Sequence, residues 1–309
     1  MTSPAKIDLL GLGIAPVDFF VTVAAYPACG KKVDGVSGSH LIAGGGPVAT
    51  ALCTFSRLGG KAALISAFGD DTWGDFAREE LSRFGVDHAY CIRRKKCPSA
   101  LAFAWVTSEN RTIVLDMDKR LSLRPSDIDP KRLPVPKLIH LDGRYMDASI
   151  KLARWGKQIG AQIMLDVGSV RNNVDDLFPF IDFLVCADDY ARHYFRTRSI
   201  PKAALGFKNL GIPEVVVTSG TAGSFGIDPE GRVVRQKAYR VATVDVTGAG
   251  DVYHGAFLFG IFKGWPLARR MQFAAAAAAL KCRHRGARDG IPTFRRTITF
   301  MNNHTAFYA

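Results

Sequence analysis

The sequence lacks the signatures of a membrane protein, of a secreted protein and of a zinc-binding domain. It has no run of 18 uninterrupted apolar residues, so no membrane-spanning helix is predicted. Its first residues, "MTSPAKIDLLGLGIAP", do not follow the basic-then-apolar pattern of a secretory signal. The six cysteines form no C-x-x-C pair and stand beside no histidine cluster. We therefore expect a cytoplasmic protein with free thiols and no membrane partner.

Two common nucleotide-binding motifs are also missing. The chain has no G-x-x-x-x-G-K-[ST] loop, and "GLGIAP" at Gly11 to Pro16 lacks the third glycine of a dinucleotide fingerprint. Tight packing between a strand and a helix is a sufficient reason for these glycines. A dinucleotide site of the Rossmann type is therefore not expected.

Acidic residues are few relative to basic ones. The chain has 41 Lys and Arg against 28 Asp and Glu, a net charge of +13. A basic surface attracts nucleic acids, acidic membranes or anionic small molecules. The densest basic run, Arg93 to Lys96, is only four residues long, and no zinc-finger spacing or RNA-binding signature accompanies it. We expect anionic metabolites and no nucleic acid; nucleic-acid binding remains an alternative motivated by charge alone.

The order of apolar segments predicts an α/β fold. Strand-like runs such as "KLIHLDG", "AQIMLDVG" and "EVVVTSG" alternate with helical segments, which favours a mostly parallel sheet with helices on both faces. We expect one domain over residues 1–309. Extended segments at about 15–43 and 97–118 interrupt the alternation and predict a small β-sheet lid. The second segment reads as a hairpin, with "SEN" as its turn.

The segment "DVTGAGD", Asp245 to Asp251, combines glycines with two aspartates between a strand-like run and a helix. Glycine at a helix start is entropically costly, so its presence needs a reason. Small residues there let backbone N–H groups converge on an anion, and the helix N-terminus adds partial positive charge. Asp251 then serves either as a helix cap or as a functional acid or base.

Two further glycine clusters also predict places where a ligand could approach the backbone closely. "VVVTSGTAGSFG" is a strand followed by a turn, and it would add a second anion-binding edge at the carboxyl end of the sheet. "AGGGPVATALCTFSRLGG", Ala43 to Gly60, would let a polyhydroxylated ligand approach the backbone closely. Taken singly, the first could be an ordinary β-turn and the second a loop before a helix.

Five motifs together resemble the ribokinase/PfkB family of sugar kinases. "AGGGPVATALCTFSRLG" is similar to the family's G-G motif, and "AFGDDTWGDFAREELSRFGVD" to its G-x-D-x-x-G segment. "VVVTSGTAG" resembles its T-x-G-x-x-G turn, and "DVTGAGDVYHGAF" resembles its D-T-x-G-A-G-D signature. "AAAAALKCRHRGARDGIP" resembles its C-terminal adenine-side helix and loop. The motifs occur in the family's order and span nearly the whole chain.

The resemblance implies a three-layer α/β/α sandwich with a lid, and transfer of the ATP γ-phosphoryl group to a sugar hydroxyl with Mg²⁺. It implies that Asp251 accepts the hydroxyl proton and that the N–H groups of Gly248, Ala249 and Gly250 form the anion hole. The nucleotide residues it implies are Thr218, Gly220, Gly223, Thr247, Ala278 and Gly286. The sugar residues it implies are Asp18, Gly44 and Gly45, together with Asp251. A monovalent cation such as K⁺ near the loop is likewise implied.

Three positions depart from the family pattern. The asparagine that follows the G-G motif is replaced, at the matching position, by Thr50. The N-x-x-E motif that organises Mg²⁺ is not evident, and "VCADDYARHY" supplies Asp188 and Asp189 as metal candidates instead. The D-x-N-x-R stretch appears as "DVGSVR", which keeps Asp166 and Arg171 without the asparagine. Simple ribose recognition is therefore in doubt.

The residues expected to contact the sugar look most like those of the sulfofructose kinase branch. Lys31 and Arg144 match two cations of that branch and would suit a sulfonate or phosphate group. A polar lid residue of the branch is replaced by Leu115. A neutral ketose, a pentose or a nucleoside remains an alternative substrate, and His140, Asp142 and Tyr145 could line its pocket or only pack.

Two further expectations concern assembly and the absence of catalysis. The unpaired edge strands of a sheet tend to pair with another chain, so the lid predicts a homodimer, which is also common in the resembled family.

A non-catalytic sugar or nucleotide sensor on the same fold is the alternative to a kinase. The missing N-x-x-E favours the sensor, whereas the intact "TGAGD" disfavours it.

Overall fold

A computed structural model describes residues 6–107, 111–171 and 173–304. The strands are β1 (Leu9–Leu12), β2 (Val17–Thr22), β3 (Leu41–Gly44), β4 (Ala62–Ile65), β5 (Ala67–Gly69), β6 (Val86–Asp87), β7 (Ile92–Arg94), β8 (Leu101–Val106), β9 (Arg111–Asp116), β10 (Leu138–Leu141), β11 (Gln162–Val167), β12 (Phe183–Ala187), β13 (Glu214–Thr218), β14 (Ser224–Ile227) and β15 (Val233–Gln236). The α-helices are α1 (Pro47–Arg57), α2 (Thr72–Arg83), α3 (Met146–Gln158), α4 (Asp188–Phe195), α5 (Ile200–Asn209), α6 (Ala249–Phe262), α7 (Leu267–Lys281) and α8 (Phe294–Asn303).

Nine strands form the main sheet, in the order β15-β14-β13-β12-β11-β10-β1-β4-β6. All neighbours from β13 to β6 pair in parallel, and β14 and β15 add an antiparallel hairpin at one edge. The central strands are buried along most of their length, as strands covered on both faces must be. The predicted α/β class with a mostly parallel sheet is confirmed.

Helices cover both faces of this sheet and divide the core into two layers. One layer contains buried side chains of α3, α4 and α5, such as Leu152, Tyr190 and Phe207. The other contains side chains of α1, α2, α6 and α7, such as Leu52 and Phe273. Among the described residues, no helix combines the length and the apolar character that crossing a bilayer requires.

A second, four-stranded sheet has the order β3-β2-β8-β9 and is called the small sheet below. Strands β8 and β9 form the predicted antiparallel hairpin, while β2 pairs with β8 in parallel. The predicted "SEN" turn lies outside the described residues. Strand β9 pairs only with β8 and is exposed along its whole length, so it forms one edge of the small sheet.

The topology brings several polar residues to one edge of the main sheet. Asp142 directly follows β10, Asp166 lies near the end of β11, and Thr218 ends β13. Because these strands are parallel, their carboxyl ends meet at the same edge, where ligands of open α/β sheets bind. The "DVTGAGD" segment ends in α6, which packs over this sheet.

Candidate functional site

Two cavities lie on either side of the loop that enters α6. The first, of about 240 Å³, is lined by Ala249 and Gly250 of the loop and by mostly small, apolar side chains of α7 and the segment before the loop. The second, of about 360 Å³, is lined by Thr247, Gly248 and Asp251 and by many charged side chains. Residues 247–251 therefore separate an apolar cavity from a charged one.

The loop conformation requires glycine at one position. Gly248 has φ +74°, and a Cβ there would lie 2.8 Å from the carbonyl oxygen of Ala287. Gly250 meets no such neighbour, so space stays open beside its backbone. Helix α6 begins at Ala249, which places Asp251 in its first turn. The N–H of Ala249 donates to the carbonyl oxygen of Val246 at 3.1 Å, which leaves the N–H groups of Gly248 and Gly250 at the boundary between the two cavities.

Asp245 holds this loop in shape. One carboxylate oxygen accepts the N–H of Thr247 at 2.8 Å, and the other accepts the N–H of Gly286 at 2.8 Å. Lys281 donates to the backbone carbonyl of Asp245, also at 2.8 Å. Burial alone would raise the pKa of Asp245, but the hydrogen bonds from Thr247 and the nearby Lys281 ammonium hold it below its ordinary value. Asp245 thus orients the loop, a role that sequence reasoning left open.

Most residues predicted to bind nucleotide share the first cavity. Thr218, Gly220, Gly223 and Ala278 all line it. Gly223 has φ +94°, and a Cβ there would lie 2.1 Å from the carbonyl oxygen of Gln236. Of the remaining two residues, Thr247 lines the second cavity, and Gly286 reaches the site through its hydrogen bond to Asp245.

Two aspartates with raised pKa values face the second cavity. Burial and the neighbouring Asp166 carboxylate raise the pKa of Asp251 to about 6. Burial also raises the pKa of Asp18 to about 7, against the opposing effect of Arg288. At pH 7 Asp251 is therefore mostly ionised, as expected of a base, whereas Asp18 is close to half-protonated.

Gly46 and Pro47 of the G-G motif line this cavity, whereas the predicted sugar residues Gly44 and Gly45 shape it from behind. A Cβ on Gly45 would lie 2.1 Å from Oδ1 of Asp18, so only glycine leaves room for the Asp18 carboxylate. The buried Arg288 donates to the carbonyl oxygen of Gly45 and, at 3.3 Å, to Oγ1 of Thr50. The side chain of Thr50 is fully buried in α1 against Arg288, away from the cavity surface. The N–H of Gly44 donates to Glu80 at 3.3 Å.

Three arginines line the second cavity, and sequence reasoning had assigned only one of them to substrate. Arg144 follows β10, Arg171 follows β11, and Arg111 begins β9. Burial and the adjacent Arg171 guanidinium lower the pKa of Arg144, because two like charges lie close together. Arg111, Ile113 and Leu115 alternate along β9 and all face this cavity, a period-2 pattern that could have identified Arg111.

Three other predicted residues lie apart from both cavities. Lys31 is exposed in a turn and lines neither cavity. Asp188 and Asp189 begin α4, and Asp188 pairs with Arg192 at 3.3 Å. Neither aspartate lines the two cavities. The structure therefore does not bring the two metal candidates together with the loop of residues 247–251.

Asp166, Asp251 and His254 offer ligand-type atoms within 4.8 Å of one another. His254 Nδ1 already lies 2.8 Å from Oδ2 of Asp166, so two of the three groups are engaged with each other. We interpret this cluster as a buried ion pair beside Asp251 and not as a metal site. His254 is a residue of this site that the sequence analysis did not identify, although it lies within the quoted segment "DVYHGAF".

Comparisons with known proteins agree with this geometry. Residues 12–294 match the pfkB family carbohydrate kinase. The ribokinase of Haemophilus influenzae is 25% identical over 302 residues, which cover 94% of this chain and 97% of that protein. A 5-dehydro-2-deoxygluconokinase of Clostridium perfringens is 24% identical over 327 residues, covering 98% and 95%. The solved ribokinase of Arabidopsis thaliana, complexed with ribose and ATP, has a TM-score of 0.81 at 22% identity and covers 96% and 99%. The family resemblance of the motifs is confirmed.

We expect Asp18→Asn to stabilise the protein in a pH-dependent way. Because burial raises the pKa of Asp18 from 3.8 to about 7, the unfolded chain releases this proton at a lower pH than the folded chain does. The contribution of Asp18 to stability therefore falls as pH rises from about 4 to about 7. Relative to wild type, Asp18→Asn should gain little near pH 3 and roughly 2–4 kcal/mol at pH 8, measured by denaturant unfolding. The exposed Asp34→Asn is the control, and an equal gain at both pH values would contradict the expectation.

Proposed function

Because the chain belongs to the pfkB family of carbohydrate kinases, we propose that it transfers the γ-phosphoryl group of ATP to a hydroxyl group of an anionic sugar. One observation carries this proposal: the loop of residues 247–251 lies between an apolar cavity and a charged cavity and ends in Asp251. Phosphoryl transfer requires that a donor and an acceptor meet in line at a site that neutralises charge. A helix N-terminus between two cavities supplies that arrangement.

Each part of the loop has a distinct role in this reaction. The backbone N–H groups of Gly248 and Gly250 stabilise the negative charge on the phosphoryl group in transit, and the N–H of Ala249 would join them on releasing the carbonyl oxygen of Val246. Asp251 faces the acceptor cavity and accepts the proton of the attacking hydroxyl group. Its pKa of about 6 supports this role, because a base is effective when its pKa lies just below the working pH.

We assign ATP to the first cavity. Its small and apolar lining, from Ala275, Ala278 and Val246 among others, suits a flat purine ring. Mg²⁺ would reach the site with the phosphate chain of ATP and would neutralise charge there. We assign it no protein ligand, because Asp188 and Asp189 line neither cavity. A monovalent cation such as K⁺ at the loop stays a prediction from the family resemblance.

The acceptor is an anionic sugar, because two guanidinium groups converge on the second cavity. Arg144 and Arg171 follow neighbouring strands and lie close enough for Arg171 to lower the pKa of Arg144. Asp142 lies 3.6 Å from Nε of Arg144 and offsets part of the repulsion between the two guanidinium groups. An anionic group of the substrate would offset the rest, since guanidinium groups match sulfonate, phosphate and carboxylate geometry. Asp18 would accept hydrogen bonds from sugar hydroxyl groups at the other end of the cavity.

We expect Asp251→Asn to bind ATP and to lose turnover. An amide cannot accept the hydroxyl proton, and loss of a general base typically lowers the rate by about 10²–10⁴-fold. ATP affinity should stay within about twofold, since only the sugar-side cavity is altered. A coupled ADP-release assay and isothermal titration with ATP measure the two quantities. The exposed Asp176→Asn is the control, and full activity of Asp251→Asn would refute the proposed function.

We expect Arg144→Met to discriminate between charged and uncharged sugars. Loss of a charge-assisted hydrogen bond should raise KM for fructose 6-phosphate or sulfofructose by about 10–100-fold. KM for fructose or ribose should change little. Arg132→Met, at an exposed position outside both cavities, is the matched control. A preference of the wild-type enzyme for neutral sugars would instead favour the alternative of a ribokinase-like or nucleoside-kinase-like activity.

We also propose that two copies associate through the outer face of the small sheet. Ile42, Phe19, Phe103 and Val114 form one row across its four strands, on the side opposite the cavity. Ile42, Phe103 and Val114 are 41%, 39% and 48% exposed, which is unusual for large apolar side chains in register. Light scattering should give a dimer for wild type and a monomer for Val114→Lys. A wild-type monomer at micromolar concentration would contradict this proposal.

A cytoplasmic location is proposed from the cysteines. All six are free, and Cys53, Cys97 and Cys186 are buried. Buried free thiols behave as small apolar side chains and persist where the surroundings are reducing.

A further inference from the structure

Helix α6 carries a buried histidine three residues after Asp251. His254 is 3% exposed, and its Nδ1 lies 2.8 Å from Oδ2 of Asp166, which is 2% exposed. The other oxygen of Asp166 and the other ring nitrogen of His254 have no hydrogen-bond partner among the described residues. Asp166 belongs to β11, so the pair joins the first turns of α6 to the end of a central strand.

Asp166 and Asp251 are two carboxylates that line one cavity. Their nearest oxygens and a nitrogen of His254 lie within 4.8 Å of one another. Two carboxylates at this separation repel each other, and a cation beside them offsets the repulsion. Charged and titratable groups face this cluster from every surrounding element: Asp18 on β2, Arg111 on β9, His140 on β10, Asp142 after β10, Arg171 after β11, Cys186 on β12 and Lys281 on α7.

His254 is the cation nearest to both carboxylates. Burial alone would lower the pKa of His254, but the Asp166 carboxylate raises it above its ordinary value. Burial alone would raise the pKa of Asp166, but His254, His140 and Arg171 hold it low. His140 itself is neutral at pH 7, because burial lowers its pKa to about 4. Both shifts, the raised pKa of His254 and the lowered pKa of Asp166, favour an imidazolium beside a carboxylate.

We propose that His254 is a positioning residue: paired with Asp166, it holds the start of α6 against β11 and neutralises the carboxylate that would otherwise repel the ionised base Asp251. The inference rests on the proposed function, because it concerns the residue that accepts the substrate proton. It assigns a role to a side chain that touches neither the sugar nor the nucleotide.

The consequence is a defined pH dependence. A base must be ionised, so the rate falls as pH falls through the pKa of Asp251. Removing the imidazolium leaves Asp166 uncompensated, and the pKa of Asp251 should rise. The acid limb of the kcat/KM profile therefore moves to higher pH in His254→Asn, by about one to two pH units. In Asp166→Asn/His254→Asn both charges are absent, and the limb should return to within about half a unit of the wild-type position.

The test is the pH profile of kcat/KM for wild type, the single variant and the double variant. His88→Asn is the matched control, since His88 is half-buried, lines neither cavity and has Ser82 as the partner of its ring. A purely structural role of His254 would lower the rate at every pH and leave the limb in place. Such a uniform loss, or a limb that does not return in the double variant, would overturn the proposal.

A measurement on the wild-type protein covers the case in which His254→Asn does not fold. The ring nitrogens of ¹⁵N-histidine report protonation directly, and His254 should remain an imidazolium at pH 7. A neutral ring at pH 6.5 would overturn the proposal. The result for Asp251→Asn separates this inference from the proposed function. If Asp251→Asn is fully active, both are refuted. If Asp251→Asn is inactive and the pH profile of His254→Asn is not shifted, only the role of His254 is refuted.

Discussion

The hydrogen bonds of the Asp245 carboxylate support every other feature of the site. One carboxylate oxygen accepts from Thr247 and the other from Gly286, so the loop before α6 is tied to the segment after α7. With this link in place, Gly248 can adopt its left-handed conformation and α6 can begin at Ala249. The N-terminus of α6 then lies between the two cavities. An anion-binding helix end is only useful if its position is fixed in advance, and Asp245 supplies that constraint.

Charge balance is the second constraint on this site. The charged cavity is lined by four aspartates and three arginines, and one of the aspartates, Asp166, is paired with the buried His254. Burial, and after it the neighbouring carboxylates, raise the pKa values of Asp18 and Asp251, while burial and the neighbouring Arg171 lower the pKa of Arg144. Such frustration costs stability and is typical of sites that bind a charged ligand. An anionic sugar would relieve the repulsion at the arginine end, and its hydroxyl groups would satisfy the aspartate end.

Local patterns predicted the fold class and the family well. Alternating apolar strands and helices indicated the parallel sheet, because each strand is buried on both faces and its sequence shows it. The glycines of "TGAGD" and "TSGTAG" indicated the loop and the turn, since positive φ at Gly248 and Gly223 is a local requirement. Contacts between segments that are far apart in sequence produce no local pattern from which they could be predicted. Arg288 and Thr50 are 238 residues apart in sequence, and the "ARDGIP" segment alone gives no reason to connect them.

The fold class and the family resemblance follow from the amino-acid sequence alone, because backbone conformation and strand burial are encoded in neighbouring residues. Only the tertiary structure decided which charges face the cavity. It brings Arg111, Arg144 and Arg171 together and leaves Lys31 exposed in a turn. It also pairs His254 with Asp166. The physical reason is that a side chain's electrostatic surroundings are set by elements that meet in space, and strand order, not sequence order, determines which elements meet.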